Sequence, residues 1–407
     1  MNCRFCGRLL VHEFINLGCA PPSNAYLAAA DLNRPEVYYP LKLSVCTNCW
    51  LVQTEDYAGA EDLFPPDYAY FSSTSSSWLA HARNFSQLIT SRLGLNAKSF
   101  VVEIACNDGY LLKNFVEAGI PCLGIEPTAS TASAARDLGI SVLQEFFGQS
   151  LGRRLADARQ KADLIIGNNV YAHVPEINDF TNGLKALLKP GGTITLEFPH
   201  LMRLIEHTQF DTIYHEHFSY LSLYTVMNIF RKAGLRVFDV EELPTHGGSL
   251  RVYGCHQEDS RLDTEVIPSL LEAEKSSGMR NIGLYQSFQT CADTIKNCFL
   301  RFLLDQKASG KAVAAYGAAA KGNTLLNYAG VRSDLLPYVA DRNPAKQGKF
   351  LPGSRIPIVA EDYLRRHRPD LVLILPWNIK EEIMNQLAYI RQWGGRFATA
   401  VPHLELI

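Results

Sequence analysis

The chain has almost no net charge: 39 basic against 41 acidic side chains leave −2 over 407 residues. That balance provides no basic stripe to attract nucleic acid or an anionic membrane surface. No apolar run reaches membrane-spanning length, and the start, Met1-Asn2-Cys3-Arg4-Phe5-Cys6, lacks the apolar core of a secretory leader, so a cytoplasmic protein is expected. No internal repeat is visible. What is present is an apolar fraction of 47% and a charged fraction of 20%, the mixture of a soluble globular protein with length for two or three domains.

Four of the ten cysteines fall into two tight pairs, Cys3-x-x-Cys6 and Cys46-x-x-Cys49. Each pair offers two thiolates across one turn, and two pairs can close a tetrahedral zinc site. Four sulfur ligands leave no position for water, so the metal is expected to fold a module and do no chemistry. The stretch between the pairs is longer than in ordinary zinc ribbons. Cys19 lies within it without a partner in the pattern and is expected to be a buried small residue. A Ser/Thr run with an aromatic lead-in follows, Asp67 to Ser77, readable as a linker or as a loop packed at the lip of a site.

The central stretch is Val101-Val102-Glu103-Ile104-Ala105-Cys106-Asn107-Asp108-Gly109-Tyr110-Leu111-Leu112. β-Branched residues run into an acidic residue, a small-residue turn and an apolar stretch with helical spacing. This reads as strand, tight loop and helix, the first crossover of a doubly wound sheet. Backbone N–H groups in such a turn, around Ala105, Asn107 and Gly109, can approach a ligand at the C-terminal edge of the sheet. A carboxylate at Glu103 would repel a pyrophosphate, so a cationic or zwitterionic nucleoside such as S-adenosylmethionine fits better; an ordinary turn is the alternative. Strands are expected at 100–104, 122–125, 164–167 and 193–198. Glu126 closes the second, where a carboxylate can accept hydrogen bonds from both ribose hydroxyls. Asn168 and His173 follow the third at the same edge. Lys189-Pro190-Gly191-Gly192 reads as a turn into the fourth. The runs 236–240 and 249–255 suit the reversed final hairpin of a methyltransferase sheet.

Helical spacing then continues from Leu262 to about Leu303. A second α/β unit begins at Lys311, with strands expected at 313–316, 338–340, 371–375 and 397–399. Gly317 to Asn323 opens a helix: small residues permit close backbone approach, and Lys321 adds a charge beside the helix N-terminus, so the turn can cradle a phosphate. Neither a Walker A loop nor GxGxxG spacing is found there, and a structural turn is the alternative. Asn378, after Pro376-Trp377, lies on the same expected edge. The densest polar cluster is Tyr214-His215-Glu216-His217. In an extended segment His215 and His217 share one face. Metal binding and plain structural bonding compete with proton transfer, for which histidine is best tuned near neutral pH.

The paired knuckles, Glu103–Gly109, Tyr214–His217, Gly317–Asn323 and Leu375-Pro376-Trp377-Asn378 occur in order. Together they resemble the nucleotide-sugar C-methyltransferases of deoxysugar biosynthesis, over essentially the whole chain. The resemblance implies an α/β chain in three parts. These are an N-terminal zinc-binding module (1–65), a central class I S-adenosylmethionine-dependent, Rossmann-like methyltransferase domain (66–258), and a second Rossmann-like domain for the nucleotide sugar (259–407). It implies methylation, at C3, of a nucleotide-linked 4-keto-deoxysugar through an enolate. By resemblance His217 removes the proton, Tyr214 and His173 hold the sugar oxygen and the enolate, Glu216 orients the site or binds a hydroxyl, and Tyr68 closes it. Lys321, Asn323 and Asn378 would meet the substrate. Ala105 stands where the family has glycine. An O- or N-methyltransferase of small molecules, or a zinc-ribbon nucleic-acid-binding protein, are the competing readings. No nucleic-acid or membrane partner is expected, and a cleft completed by one chain suits a monomer.

Overall fold

The computed structural model describes residues 1–59, 63 and 71–407; Tyr68 lies outside the described residues. The chain forms two compact units, each gathered from three stretches. Met1–Val11, Val45–Met202 and Phe218–Asn281 make the first, and His12–Ser44, Arg203–His217 and Ile282–Ile407 the second.

The first unit is built on a seven-stranded sheet. Its strands are β1 (Val101–Ile104), β2 (Cys122–Ile125), β3 (Val142–Leu143), β4 (Ala162–Asn168), β5 (Leu188–Pro199), β6 (Leu235–Leu243) and β7 (Ser249–His256). They lie in the order β6-β7-β5-β4-β1-β2-β3. β1 to β5 are parallel, and β7 runs antiparallel to both β5 and β6. The five parallel strands therefore end on one edge, where such folds bind ligands. All four residues of β1 are buried, as expected of a strand covered on both faces. Helix α1 (Ser76–Leu93) covers one of them, sending Ala82, Phe85 and Ile89 into the core with Val101, Leu111, Phe115 and Leu164. The expected turn at Lys189–Gly192 is instead a bulge inside β5: Ala162 pairs with Leu188, and Leu164 already with Thr193.

Two helices brace the far part of this unit, α2 (Leu223–Ala233) and α3 (Val266–Ser276). Four N–H groups at a helix start have no intrahelical partner. For α2, Ser222 accepts from Thr225 N–H, and Glu274 on α3 accepts from Leu223 N–H at 2.6 Å and Tyr224 N–H at 3.0 Å. His200 Nε2 sits 2.8 Å from the same carboxylate.

The second unit carries β8 (Val313–Tyr316), β9 (Val339–Ala340), β10 (Ile358–Val359), β11 (Leu371–Ile374), β12 (Arg396–Thr399) and β13 (Glu405–Leu406), ordered β10-β9-β8-β11-β12-β13. All are parallel except β13. The order reverses between β8 and β11, the point where doubly wound sheets open a ligand crevice. Two earlier strands, His12–Ala20 and Tyr39–Val45, also belong here. Helix α4 (Ile282–Ala308) lies on the first of them, with Phe14 stacked on Phe288 at 4.6 Å and edge-on to Tyr285. Cys19 is exposed, contrary to expectation. Ile15 and Leu17 point inward, but Gly18, at a φ of +74°, breaks the alternation and turns Cys19 out and Ala20 in. Among the described residues no helix is long and apolar enough to cross a membrane.

Glu274→Ala strips two helix N–H groups of their acceptor inside the fold and should lower unfolding stability by about 2 kcal/mol or more. Glu274→Gln, which retains one acceptor oxygen, should fall between the two in urea unfolding; equal stability of all three proteins would refute the cap.

Candidate active site and metal centre

The Sγ atoms of Cys3, Cys6, Cys46 and Cys49 all lie within 4.8 Å of one another, with Cys3–Cys49 and Cys6–Cys46 at 3.5 Å. A tetrahedral ion with Zn–S bonds of about 2.3 Å needs sulfurs ~3.8 Å apart, so the set fits a closed structural zinc site. Each knuckle is a tight turn, Gly7 N–H bonding Cys3 O and Trp50 N–H bonding Cys46 O. Four converging thiols share protons unevenly: the hydrogen bond from Cys49 pulls the Cys3 thiol down, and giving it pushes Cys49 up. A zinc ion would take all four as thiolates. Arg4, inside the first knuckle, anchors it: its guanidinium donates to Pro175 O at 2.6 Å and Thr54 O at 2.9 Å and pairs with Asp56 at 2.8 Å.

At the end of β1, Glu103 is completely buried, and among the described residues neither carboxylate oxygen has a hydrogen-bond partner. Burial first, then the charges of Asp108 and Glu126, push its pKa well above the usual range. Such a group answers an incoming cation, and the ammonium group of a zwitterionic nucleoside matches it. Asn168 is on the same sheet face, because Glu103 pairs with Ile166 two residues earlier; it too is buried, its amide unpartnered among the described residues. Glu126, just past β2, accepts Asn107 N–H through Oε2 at 2.9 Å, and Thr128 N–H and hydroxyl through Oε1 at 3.0 and 2.6 Å. Its carboxylate is thus held in place, and Oε2 keeps a second lone pair for a hydroxyl donor.

The turn itself is left-handed at Ala105 (φ +57°), Asn107 (+50°) and Gly109 (+78°). For Ala105 this costs about 1 kcal/mol relative to glycine. Gly109 has no alternative, since a Cβ there would come within 2.5 Å of Ile140 Cδ1. The described end of the serine run docks on this turn: Ser72 N–H donates to Asn107 Oδ1 at 2.9 Å and Ser73 N–H to Asp108 Oδ2 at 3.0 Å. His173 ends the short turn Tyr171–His173 that follows β4.

Sequence reasoning missed a charged cluster on the same face. Glu197 of β5 takes Arg251 of β7 at 2.6 Å, His81 of α1 at 2.9 Å and the Thr245 hydroxyl at 2.9 Å. Trp78 stacks on His81 and stands edge-on to His246, whose Nε2 meets Asn169 Nδ2 at 2.9 Å. Charged residues inside the otherwise apolar strands 193–198 and 249–255 were the available signal.

In the second unit, Tyr214–His217 is a turn and not an extended segment: His217 N–H bonds Tyr214 O at 2.9 Å. The turn brings the Tyr214 and His217 rings to 4.0 Å, while His215 points elsewhere, its Nε2 3.3 Å from Tyr39 O, and burial lowers its pKa. His217 Nδ1 lies 2.9 Å from Thr212 O. A carbonyl only accepts, so Nδ1 bears the proton and Nε2 is the basic nitrogen. Glu216 is buried and accepts from Asn24 Nδ2.

At the β8/β11 crevice Gly317 (φ +89°) lets Pro376 approach; a Cβ would stand 2.4 Å from Pro376 Cδ. Helix α5 (Ala320–Tyr328) begins there. Lys321 Nζ donates to Asn378 Oδ1 at 2.6 Å and lies over the Trp377 ring, and Trp377 Nε1 donates to Asp211 Oδ2 at 2.7 Å. Burial pushes Lys321 down to about 8 against the opposing charge of Asp211, and pushes Asp211 up to about 6 despite Lys321 and Trp377. Asp211 gave no sequence signal. Asn323 is buried with its amide donating to Ser23 O, and the Ala318 N–H of the turn is already taken by Asp341 Oδ2 at 2.7 Å. Thr324 on α5 bonds Ile213 O at 2.7 Å, tying this helix to the strand of chain that carries Tyr214 and His217.

A closed four-cysteine site and a parallel sheet with a zwitterion-matching turn define a zinc-containing class I methyltransferase that uses S-adenosylmethionine. Comparison with family models and with one full-length relative agrees. Residues 3–64 match the model described as "Putative zinc binding domain", 69–240 a methyltransferase domain and 244–402 a C-methyltransferase C-terminal domain. The chain is 34% identical to C-methyltransferase NovU of Streptomyces niveus over 409 aligned residues, covering 100% of this chain and 96% of the relative. A ubiquinone biosynthesis O-methyltransferase of Bradyrhizobium is 26% identical over 118 residues, 25% of this chain and 43% of that one. Among solved structures, the PH0226 protein of Pyrococcus horikoshii aligns over 50% of this chain and 99% of its own with 15% identity and a TM-score of 0.38. The chain belongs to the family of C-methyltransferases that its motifs resemble.

Glu197 supplies a pH signature. Burial alone would raise its pKa, but the hydrogen bond from His81 and the charge of Arg251 bring it down to about 2 from an ordinary 4.5. A lowered folded pKa stabilises fully above 4.5 and loses that stabilisation as pH falls toward 2. Thermal unfolding of the wild type should therefore weaken more steeply across this window than that of Glu197→Gln; parallel curves would discount the cluster.

Proposed function

We propose that the chain methylates a ring carbon, at C3, of a nucleotide-linked 4-keto-deoxysugar. The observation that carries this reading is the Tyr214–His217 turn, with His217 locked by Thr212 in one tautomer, tied through Thr324 to the helix that bears Lys321. A basic imidazole nitrogen beside a phenol suits removal of a proton next to a ketone, and an ammonium group at a crevice suits an anionic nucleotide.

In this reading Lys321 and Asn378 hold the nucleotide part of the substrate. His217 Nε2 accepts the proton from the ring carbon, and Tyr214 and His173 donate hydrogen bonds to the oxygen on which negative charge develops. Glu216 orients a sugar hydroxyl. Tyr68 and Asn323 keep the roles implied by resemblance, as a closing group and a substrate contact. Glu103, Asn168 and Glu126, with the turn at Ala105, Asn107 and Gly109, hold S-adenosylmethionine, which when bound supplies an electrophilic methyl group.

Solvent deuterium should enter the ring carbon of a nucleotide 4-keto-sugar without S-adenosylmethionine, and His217→Asn should abolish that exchange; undiminished exchange removes His217 as the base. Separately, Lys321 is cationic below its pKa of about 8 and neutral above it. The KM for nucleotide sugar should therefore rise as pH passes through 8 and stay high and flat in Lys321→Met. A wild-type KM that is flat across that pH range would detach Lys321 from the nucleotide.

A further inference from the structure

The unusual length between the two cysteine pairs has a structural explanation. Both pairs sit in the first unit, yet residues 12–44 between them belong to the second, together with Arg203–His217. The inserted stretch is thus not padding within a zinc ribbon. Its segment Pro21-Pro22-Ser23-Asn24-Ala25-Tyr26-Leu27 makes a run of specific polar bonds inside the second unit.

Asn24 Nδ2 donates to Glu216 Oε1 at 2.7 Å, a bond between residues 192 positions apart. A carboxylate oxygen accepts here, so the amide nitrogen faces it. Two residues on, the Tyr26 hydroxyl donates to Ala318 O at 2.6 Å, and Lys346 Nζ reaches the same carbonyl at 2.8 Å. Ser23 O receives the Asn323 amide, and Leu27 exchanges backbone hydrogen bonds with Phe350. Asn24 is therefore held on both sides, Ser23 by Asn323 of α5 and Tyr26 by Ala318 in the turn after β8. Glu216 itself is only 2% exposed. A buried carboxylate with several rotamers is pointed by its donors, and this donor is charge-neutral, so it orients without altering the charge of the site.

We propose that Asn24 is a positioning residue for the methyl-transfer reaction, acting through Glu216. The idea rests on the reading in which Glu216 meets the sugar. Misplacement of a substrate-orienting group by an ångström costs up to about 100-fold in rate. Asn24→Ala should accordingly lower kcat by about 10–100-fold, with KM for S-adenosylmethionine, zinc content and thermal midpoint near those of wild type. Asn24→Asp keeps the volume but replaces the donor by a second carboxylate against Glu216, so a residue that merely filled space would tolerate it. It should be at least as impaired as Asn24→Ala.

The experiment compares full-length Asn24→Ala, Asn24→Asp, Glu216→Gln and the Asn24→Ala/Glu216→Gln double variant in steady-state kinetics. Support is a double variant no slower than Glu216→Gln alone, because the two residues act as one unit. Normal turnover of Asn24→Asp, or losses in the double variant that multiply, would overturn the inference while leaving Glu216 in its role. Normal turnover of Glu216→Gln would instead overturn the role of Glu216, and the inference with it.

Discussion

A charge taken out of water inside a sheet must be answered within a few ångströms, and this constraint separates framework from site in the first unit. Glu197 and Glu103 are both buried on one sheet face, two strands apart. Glu197 is answered from three directions by Arg251, His81 and Thr245, and its pKa falls. Glu103 has no answering group among the described residues, and its pKa rises. The first carboxylate holds α1 against the sheet. The second, in the proposed reading, waits for a ligand of opposite sign.

The second unit handles charge differently. Lys321 and Asp211 are linked through Trp377, with the indole donating to the acid and the ammonium lying over the ring. Each is held away from its ordinary pKa by burial, in the direction of neutrality. The turn after β8 has a dinucleotide-fold topology, but its Ala318 N–H is met by Asp341. If that turn meets an anion, as proposed, the task falls to a side chain, Lys321, more than to a cradle of backbone amides.

Much of this was legible in the chain itself. Strands 122–125 and 313–316 match β2 and β8 residue for residue, because short apolar runs between glycines and turns leave little choice of boundary. The cysteine pairs and the Glu103 turn were readable because their chemistry is local. The Tyr214–His217 turn was not, since no glycine or proline marks it and the bond from His217 back to Thr212 O that helps set it leaves no mark in residue type. Asn24, Asp211 and the His81–Arg251 pair were invisible for a related reason: each acts through a partner far away in sequence, and spacing carries no information about such pairs.

The interleaving of the two units matters for anyone recombining relatives of this enzyme. A crossover placed after the second knuckle, where the metal site is complete, exchanges more than a metal site. It also carries strands His12–Ala20 and Tyr39–Val45, Phe14 with its aromatic contacts to α4, and the Asn24–Tyr26 pair. A hybrid made at that seam inherits its sulfur ligands from one parent and half of a carboxylate–amide handshake from the other, so successful grafts need both ends of that handshake from a single source.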